Sequence, residues 1–484
     1  MVPTLAAGPI GAKDVIHLVE EPALHSAREV RVQPQLTDRE DLVLGERITR
    51  SATARRGESV KDITAWVQRR RRQVGPTVQR IPFHELEGWS FSQETGNLVH
   101  RSGRFFTVHG LRAAIGEHPG RMSWHQPIIT QPEVGILGIL AQEFDGVLHF
   151  LMQAKMEPGN PGLVQISPTV QATYSNYTKI HQGGGVRYLE YFTDPSRGRV
   201  LSDVLQSEHG SWFCRKRNRN MVVEVTGALP DHEDFRWLTL GQIHELLGHD
   251  NTVNFDARSA LAGLYGPGAS QALHSDTHVL SWLAARRSLT PITGVPISLA
   301  DLPGWRRDEY SIHHEQQRYF RVMAVSVRAG NREVSQWTQP LLEPNGQGIV
   351  AFLMRTFNGV PHVLVSARAE AGFSDVELGP TVQCVPRNHQ HLPAAQQPPF
   401  LSAVQSAAPP QIRYAALLSE EGGRFLNAVS QYLVIEATEE QAPLKEPPGF
   451  CWVSRDQLAA FTRSSHYVSA QARTLLVCLN TLGA

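Results

Sequence analysis

The sequence contains two long copies of one pattern, and this internal repeat restricts the possible fold more than any other feature. Residues 135–171 read GILGILAQEFDGVLHFLMQAKMEPGNPGLVQISPTVQ, and residues 348–383 read GIVAFLMRTFNGVPHVLVSARAEAGFSDVELGPTVQ. Other anchors lie about 215 residues from their partners: Trp66 and Trp282, Trp124 and Trp337, Trp237 and Trp452, and Arg258 and Arg473. A period this long excludes a solenoid and predicts two tandem homologous domains.

The boundaries of these domains follow from the repeat. Residues 264–270 are rich in Gly and Pro, which interrupt helices and strands, and they separate the two copies. We therefore predict a first domain at residues 37–266 and a second at residues 267–484. Residues 1–36 match nothing in the second copy and are predicted to form a mobile tail.

Apolar periodicity predicts both helices and strands within each copy. Helical spacing predicts four helices, at residues 59–72, 239–247, 257–264 and 277–288. Short apolar runs predict strands, at residues 103–108, 134–144, 147–154, 163–167, 221–225 and 432–435. Asp145-Gly146 and Asn358-Gly359 are favoured hairpin turns. The pattern predicts an α+β fold with a mixed or antiparallel sheet in each copy.

Charge and composition argue against several classes of partner. Lys plus Arg number 46, as do Asp plus Glu, so no overall field favours nucleic acid or an anionic membrane. No apolar run approaches the ~18 residues of a membrane span, and the first residues lack a secretion signal, so we expect a cytoplasmic protein. The four cysteines form no CxxC pair, and we find no HExxH, P-loop or dinucleotide fingerprint. No metal and no cofactor is therefore predicted.

A basic run in the first copy is the strongest indication of a binding site. Residues 215–220 read RKRNRN and lead into an apolar strand. If the strand includes the run, its residues alternate between two faces, with Arg215, Arg217 and Arg219 on one and Lys216, Asn218 and Asn220 on the other. Three guanidinium groups on one face suit a diphosphate. A solvated basic edge strand is the alternative interpretation.

The second copy keeps the frame Ser-Glu-x-Gly-x-x-Phe at residues 419–425 but has lost the basic run. Polar residues found only in the first copy are therefore candidates for the chemistry, which suggests one working site and one altered site. With their counterparts in parentheses, these residues are Lys155 (Arg368), Ser167 (Gly379), Tyr177 (His389), Lys216 (Ala428), Arg219 (Gln431) and Asn220 (Tyr432).

These stretches strongly resemble the NDP-hexose 2,3-dehydratases. The similar motifs include WHQP at residues 124–127, SNYT at 175–178, RKRNRN at 215–220 and SEEGGRF at 419–425. The resemblance implies a tandem duplication of two Nudix-like α/β/α-type domains with mixed sheets, a homodimer, and a dTDP-sugar pocket in each domain. Neither copy contains a Nudix box, so metal-dependent hydrolysis of a diphosphate is not expected.

The resemblance also implies a reaction. A base removes the C3 proton of dTDP-4-keto-6-deoxyglucose, the C2 hydroxyl leaves as water, and dTDP-3,4-diketo-2,6-dideoxyglucose results. A downstream 3-ketoreductase is the implied partner enzyme in deoxysugar and antibiotic biosynthesis. The 4-ketone is the electron sink, so neither nicotinamide nor metal is required. Two alternatives stay open: a nucleotide-sugar-binding protein without activity, and a Nudix-type hydrolase dependent on magnesium.

Site residues are assigned on this basis. For the chemistry we predict Lys155, Glu157, Tyr177, Lys216 and Asn220. For substrate binding we predict Arg215, Arg217, Arg219, Arg258, Trp66, Trp89, Trp124, Trp212, Gln171, Ser175 and Asn176. For a second nucleotide site in the other copy we predict Gln383, Arg424, Arg473, Trp282 and Trp305. Because the second copy repeats Glu157 and three of the indoles, a structural role competes with a functional one at those positions.

Overall fold

The described residues form two seven-stranded and two five-stranded sheets, and each pair of sheets repeats one strand order. The computed structural model describes residues 38–54, 57–117, 121–173, 185–266, 271–330 and 334–483. We call residues 37–266 the first half and residues 267–484 the second half; together they form one compact unit.

The strands of the first half are β1 (Thr77–Ile81), β2 (Trp89–Phe91), β3 (Leu98–His100), β4 (Thr107–Ile115), β5 (Met122–Thr130), β6 (Gly135–Phe144), β7 (Val147–Met156), β8 (Val164–Ser167), β9 (Val170–Ala172), β10 (Arg199–Ser207), β11 (Arg217–Glu224) and β12 (Phe235–Thr239). Those of the second half are β13 (Ile292–Ile297), β14 (Trp305–Arg307), β15 (Ser311–His314), β16 (Phe320–Arg328), β17 (Gln336–Pro344), β18 (Gly348–Phe357), β19 (Val360–Arg368), β20 (Glu377–Gly379), β21 (Val382–Cys384), β22 (Ile412–Ser419), β23 (Val429–Glu436) and β24 (Phe450–Ser454).

The α-helices of the described residues are Asp38–Thr53, Val60–Val74, Glu190–Thr193, Leu240–Leu247, Phe255–Ala262, Asp276–Leu289, Leu401–Gln405, Arg455–Thr462 and Ala470–Asn480. Short 3-10 turns occur at Phe83–Glu85, Pro386–Asn388, Ala394–Gln396, Pro409–Gln411 and Thr481–Gly483. In these parts of the chain, no helix has both the length and the apolar character that crossing a bilayer requires.

The large sheets are mixed, as predicted. The first has the order β10-β11-β6-β7-β12 and the second the order β22-β23-β18-β19-β24. In each sheet one central pair is parallel, β11 with β6 and β23 with β18, and the other pairs are antiparallel. The sheets and helices confirm the α+β class and the duplication.

Most of the predicted elements are confirmed. The hairpin between β6 and β7 turns at Asp145-Gly146, where both residues have positive φ (48° and 77°), as a two-residue type I′ turn requires. Asn358-Gly359 repeats this geometry with φ of 52° and 80°. The strand predicted at residues 103–108 is wrong for most of its length, because Gly103 adopts a positive φ of 62° in a turn and β4 begins only at Thr107.

The small sheets join the two halves by exchanging strands. β1 of the first half pairs antiparallel with β16 of the second half. In return, β13 of the second half pairs antiparallel with β4 of the first half. Each small sheet therefore contains a strand from the other half. The boundary between two domains near residue 266 stays a prediction.

Two buried arginines also join the halves. Arg258 and Arg473 lie on the helices Phe255–Ala262 and Ala470–Asn480, and neither is exposed to solvent. Arg258 donates to the carbonyls of Val253 and Ser419, both at 2.5 Å. Arg473 donates to Ser207 O at 2.7 Å, which makes the arrangement reciprocal. The predicted ligand-binding roles of Arg258 and Arg473 are therefore corrected, because carbonyl oxygens of the protein core occupy their donors.

Replacing one of these arginines tests that correction. Arg258→Met leaves the carbonyls of Val253 and Ser419 without this donor, and each orphaned carbonyl costs about 1–3 kcal/mol. We expect chemical denaturation to show a free energy of unfolding lower by about 2–5 kcal/mol. The matched control is Arg306→Met, since Arg306 is 71% exposed beside Glu315. Undiminished stability combined with lost nucleotide binding would restore the ligand-binding interpretation.

Candidate active site

A cavity of about 460 Å³ lies where the two halves meet. Its first-half wall comes from the large sheet and the helix Phe255–Ala262. Its second-half wall comes from β17 and from residues 421–424. The cavity is therefore a composite of the two copies, which the sequence repeat alone does not reveal.

Three carboxylates meet in this cavity. Glu157, Asp256 and Glu421 each place one oxygen within 4.8 Å of the other two. The amide of Gln171 bridges the first two, donating to Glu157 at 2.9 Å and also to Asp256. Amides of Asn160 and Asn254 donate to the other oxygen of Glu157, at 2.7 and 3.0 Å. Glu157 is thus fixed by amides, whereas Glu421 approaches from the second half.

Asp256 and Glu421 differ from ordinary carboxyl groups in their acidity. Burial, reinforced by the carboxylates Glu157 and Glu421, raises the pKa of Asp256 well above its usual value. Burial also raises the pKa of Glu421 to about 7, with Arg424 opposing the rise and Glu157 reinforcing it. The raised pKa favours the protonated form of Asp256, and Glu421 exchanges a proton near neutral pH, the combination expected of an acid and a base.

Two lysines line the same cavity as the carboxylates. Lys155 on β7 donates from Nζ to the carbonyl of Gln171 at 3.3 Å. Lys216, just before β11, donates to the carbonyl of Glu133. Burial lowers the pKa of Lys216 to about 8, so this ammonium group is easily deprotonated. Both lysines line the cavity, where positive charge can stabilise a developing oxyanion.

Another part of the cavity wall is aromatic. Trp89 on β2 packs edge-on against His100 at 5.2 Å and lies 4.8 Å from Phe106, measured between ring centroids. The guanidinium of Arg424 lies over the ring of Phe106, 4.5 Å from its centroid. Arg424 therefore connects the aromatic wall to Glu421, whose acidity it influences.

A chain of hydrogen bonds positions the loop that carries Glu421 and Arg424. Trp337 donates to the Gln339 side chain at 2.8 Å, and Gln339 donates to Gly423 O at 2.7 Å. The first half repeats this chain: Trp124 donates to Gln126, which donates to Ser211 O, each at 2.7 Å. The shared Trp-x-Gln-Pro motif therefore positions a loop, and this accounts for Trp124 without a contact to substrate.

Six of the predicted site residues line the cavity: Lys155, Glu157, Lys216, Gln171, Trp89 and Arg424. Arg424 was predicted for a second site, and that prediction is corrected because its loop closes over the cavity of the opposite half. Ser175, Asn176 and Tyr177 lie outside the described residues.

The basic run alternates as predicted, but its lysine face points into the cavity. Lys216 and Asn218 line the cavity, whereas Arg215, Arg217 and Arg219 are not among its described lining residues. Arg219 instead forms an ion pair with Asp203 of β10, with Nε 2.7 Å from the carboxylate, and Arg217 approaches Ser374 at 3.3 Å. The three arginines therefore lie apart from the described lining of this cavity, and their assignment to a diphosphate stays a prediction.

Other predicted residues serve the core. Trp66 is 2% exposed and donates to Glu233 O at 2.9 Å. Trp212 stacks on His209 and contacts Phe425 edge-on at 4.5 Å. Asn220 is buried and donates to Ser259 at 2.8 Å, and it is not among the described lining residues of the cavity.

Apart from Arg424, the residues assigned to a second nucleotide site are not among the described lining residues of this cavity. Trp305 is buried and donates to His125 O at 2.9 Å, and Trp282 is half-buried on the helix Asp276–Leu289. Gln383 donates to Glu370 at 3.0 Å, and Arg368 binds Glu370 at 2.9 Å. Glu370, the counterpart of Glu157, thus forms an ion pair with Arg368, the counterpart of Lys155.

Asp256 and Glu421 were missed, although the comparison of copies contained the signal. Asp256 aligns with Gln471, and Glu421 aligns with His209. His209 is buried between Glu208 at 3.5 Å and Glu420 at 2.8 Å. Although burial opposes it, these two carboxylates raise the pKa of His209 to about 9. The position that supplies a titrating carboxylate in one half supplies a buried cation in the other.

The raised pKa of Glu421 predicts a dependence of stability on pH. The unfolded chain releases this proton near pH 4.5, whereas the folded chain keeps it until about pH 7. The contribution to stability is therefore present below pH 4.5 and lost as the pH rises through 7. Glu421→Gln should remove up to about 3 kcal/mol of that decline, measured by denaturation at several pH values. The exposed Glu94→Gln is the control, and identical profiles for wild type and Glu421→Gln would refute the acidity assigned here.

Comparison with known proteins agrees with the resemblance noted in the sequence. The profile of the family described as NDP-hexose 2,3-dehydratase matches residues 60–264 and 276–479. The chain is 54% identical over 449 residues to the dTDP-4-dehydro-6-deoxy-alpha-D-glucopyranose 2,3-dehydratase of Amycolatopsis orientalis, a match that covers 91% of this chain and 94% of that protein. Proteins of the same name from Streptomyces violaceoruber and Saccharopolyspora spinosa are 47% and 46% identical, and the matches cover 86% and 87% of this chain and 96% and 91% of theirs. The chain belongs to the NDP-hexose 2,3-dehydratase family.

Proposed function

We propose that the chain is a hydro-lyase that removes the C2 hydroxyl of dTDP-4-keto-6-deoxyglucose and yields dTDP-3,4-diketo-2,6-dideoxyglucose. The names of the three relatives support this substrate and reaction. The observation that carries the proposal is the order of chemistry along the cavity wall. An aromatic wall is followed by a cation, and the cation by an acid, a base and two lysines.

This order corresponds to the three parts of a nucleotide sugar. Thymine requires an aromatic surface, which Trp89 and its neighbours supply. The diphosphate requires a guanidinium group, and Arg424 lies beside that surface. The keto sugar then reaches Asp256, Glu421 and the lysines. The dTDP moiety thus orients the sugar so that its reacting carbons face the acid and the base.

We assign the proton transfers from the acidities of the two carboxyl groups. Glu421, with a pKa raised to about 7, accepts the C3 proton, which the neighbouring 4-ketone acidifies. Lys155 and Lys216 stabilise the negative charge that develops on the C4 oxygen. Asp256 donates its proton to the C2 hydroxyl, which leaves as water. The C3 enol that remains takes a proton at C2 and releases its hydroxyl proton to solvent, which gives the diketone.

Two alternatives fit the cavity less well. A protein that only binds nucleotide sugars has no need of a buried acid and base with raised pKa values. A magnesium-dependent hydrolase of the Nudix type would use a Nudix box, which neither copy contains. We retain as proposals that each half is a Nudix-like domain, that the protein is a cytoplasmic homodimer, and that it supplies a 3-ketoreductase in deoxysugar biosynthesis. The mixed sheet with packed helices in each half is compatible with the Nudix-like assignment.

The assignment of base and acid predicts the behaviour of two variants. Glu421→Gln and Asp256→Asn keep the shape of the cavity but remove a proton acceptor and a proton donor. Each should lower kcat by roughly 10²–10⁴-fold while dTDP binds with nearly unchanged affinity. The assay incubates each variant with dTDP-4-keto-6-deoxyglucose and a 3-ketoreductase and measures the reduced sugar by mass spectrometry.

Arg219→Gln is the matched control, because Arg219 lies on the same strand as the cavity wall but pairs with Asp203. It should retain wild-type turnover. Full activity of Glu421→Gln, or a loss in Arg219→Gln as large as in the carboxyl variants, would show that the site has been placed on the wrong face of β11.

A further inference from the structure

Three side chains with metal-binding chemistry meet in the second half, outside the cavity. His274, His278 and Cys451 each place one ligand atom within 4.8 Å of the other two. The histidines flank the start of the helix Asp276–Leu289, whose N-cap is Ser275, and Cys451 lies on β24. Cys451 is 2% exposed, whereas His278 is exposed to solvent, so the group has a buried side and an open side.

The surroundings hold this group in place. Gln457 donates to the carbonyl of His274 at 2.8 Å and to Asp276 at 2.7 Å, which fixes the start of the helix. Nε2 of His274 lies 2.5 Å from a carboxylate oxygen of Glu446. This contact leaves Nδ1 of His274 for another partner, and a carboxylate bound to the far nitrogen is the usual support of a metal-binding histidine.

The first half shows what the same location contains without these residues. The counterparts of His274, His278 and Cys451 are Glu58, Asp62 and Arg236. Gln242 donates to Glu58 O at 2.6 Å, as Gln457 does to His274 O, so the two locations correspond. There Arg236 and Glu58 form an ion pair at 3.9 Å. The second half has exchanged these charged groups for two imidazoles and a thiol.

We propose that His274, His278 and Cys451 form a zinc site that joins the start of the helix Asp276–Leu289 to β24. Imidazole nitrogen and thiolate sulfur are the ligands that Zn²⁺ prefers, whereas Mg²⁺ and Ca²⁺ prefer oxygen. Tetrahedral bonds of about 2.0–2.3 Å place neighbouring ligand atoms roughly 3–4 Å apart, which is compatible with the observed separation. Water completes the coordination on the exposed side, and Glu446 orients His274.

The proposed binding step is a proton exchange without redox chemistry. The Cys451 thiol loses its proton to solvent as the sulfur binds Zn²⁺, and the two histidines bind in their neutral form. Because the ligands must be deprotonated before they bind the metal, the affinity for Zn²⁺ rises with pH. The site is independent of the proposed function, because none of its ligands lines the cavity.

The experiment measures zinc in the full-length chain. Protein stripped with a chelator is incubated with ZnSO₄, desalted and analysed by mass spectrometry for metal content. We expect one zinc per chain in the wild type, and loss of that zinc in His278→Ala and Cys451→Ser. His249→Ala and Cys384→Ser are the matched controls and should keep it. Cobalt substitution should give the thiolate-to-cobalt absorption band in the wild type and not in Cys451→Ser.

A thermal scan gives a second measurement, since a ligand bound only by the folded chain raises Tm. Zinc should raise the Tm of the wild type and leave that of His278→Ala unchanged, while dehydration proceeds at the same rate in both. His278 is exposed, so His278→Ala tests the site even if Cys451→Ser does not fold. Absence of bound zinc in the wild type, or zinc that persists in His278→Ala and disappears in Glu421→Gln, would overturn the proposal.

Discussion

Close backbone contacts between the two halves determine the rest of this structure. Gly159 N donates to Gly422 O at 2.7 Å, and Gly372 N donates to Gly210 O at the same distance. A Cβ at Gly159 would lie 1.7 Å from the carbonyl oxygen of Phe425, so only glycine permits the approach. The contact brings the loop 421–424 of the second half over the cavity of the first, and the buried arginines and exchanged strands hold it there.

The two halves share one backbone arrangement but carry different side chains at corresponding positions. Each half repeats the other's backbone contacts, buried arginine and Trp-Gln hydrogen bond. The side chains at corresponding positions differ: the first cavity has Asp256, Glu421 and Arg424 where the other location has Gln471, His209 and Trp212. A titrating carboxylate and an arginine that lines the cavity are thus replaced by a buried ion pair and a core indole. Divergence of side chains on a preserved frame explains why one cavity is equipped for acid–base chemistry.

The sequence was sufficient to predict the fold class and the duplication, but it predicted only some of the residues that line the cavity. Periodicity and the Asp145-Gly146 turn located the hairpin and the mixed sheet, because both depend on local preferences. Comparison of the copies singled out Lys155 and Lys216, which line the cavity, and the same comparison extended to Asp256 would have added the carboxyl group that we propose as the acid. The direction of the basic run was not predictable, since alternation defines two faces but not which one is covered. Nor was the contribution of Arg424, because it depends on how the halves pack together.

We propose that both halves build one nucleotide-sugar site, with Arg424 of the second half beside the aromatic wall of the first. A crystal structure of the chain bound to dTDP tests this most directly. We expect thymine to lie on Trp89 and its neighbours and a phosphate oxygen to lie within hydrogen-bonding distance of the Arg424 guanidinium. A nucleotide bound to Arg215, Arg217 and Arg219 on the opposite face of β11, with Arg424 making no contact, would contradict it.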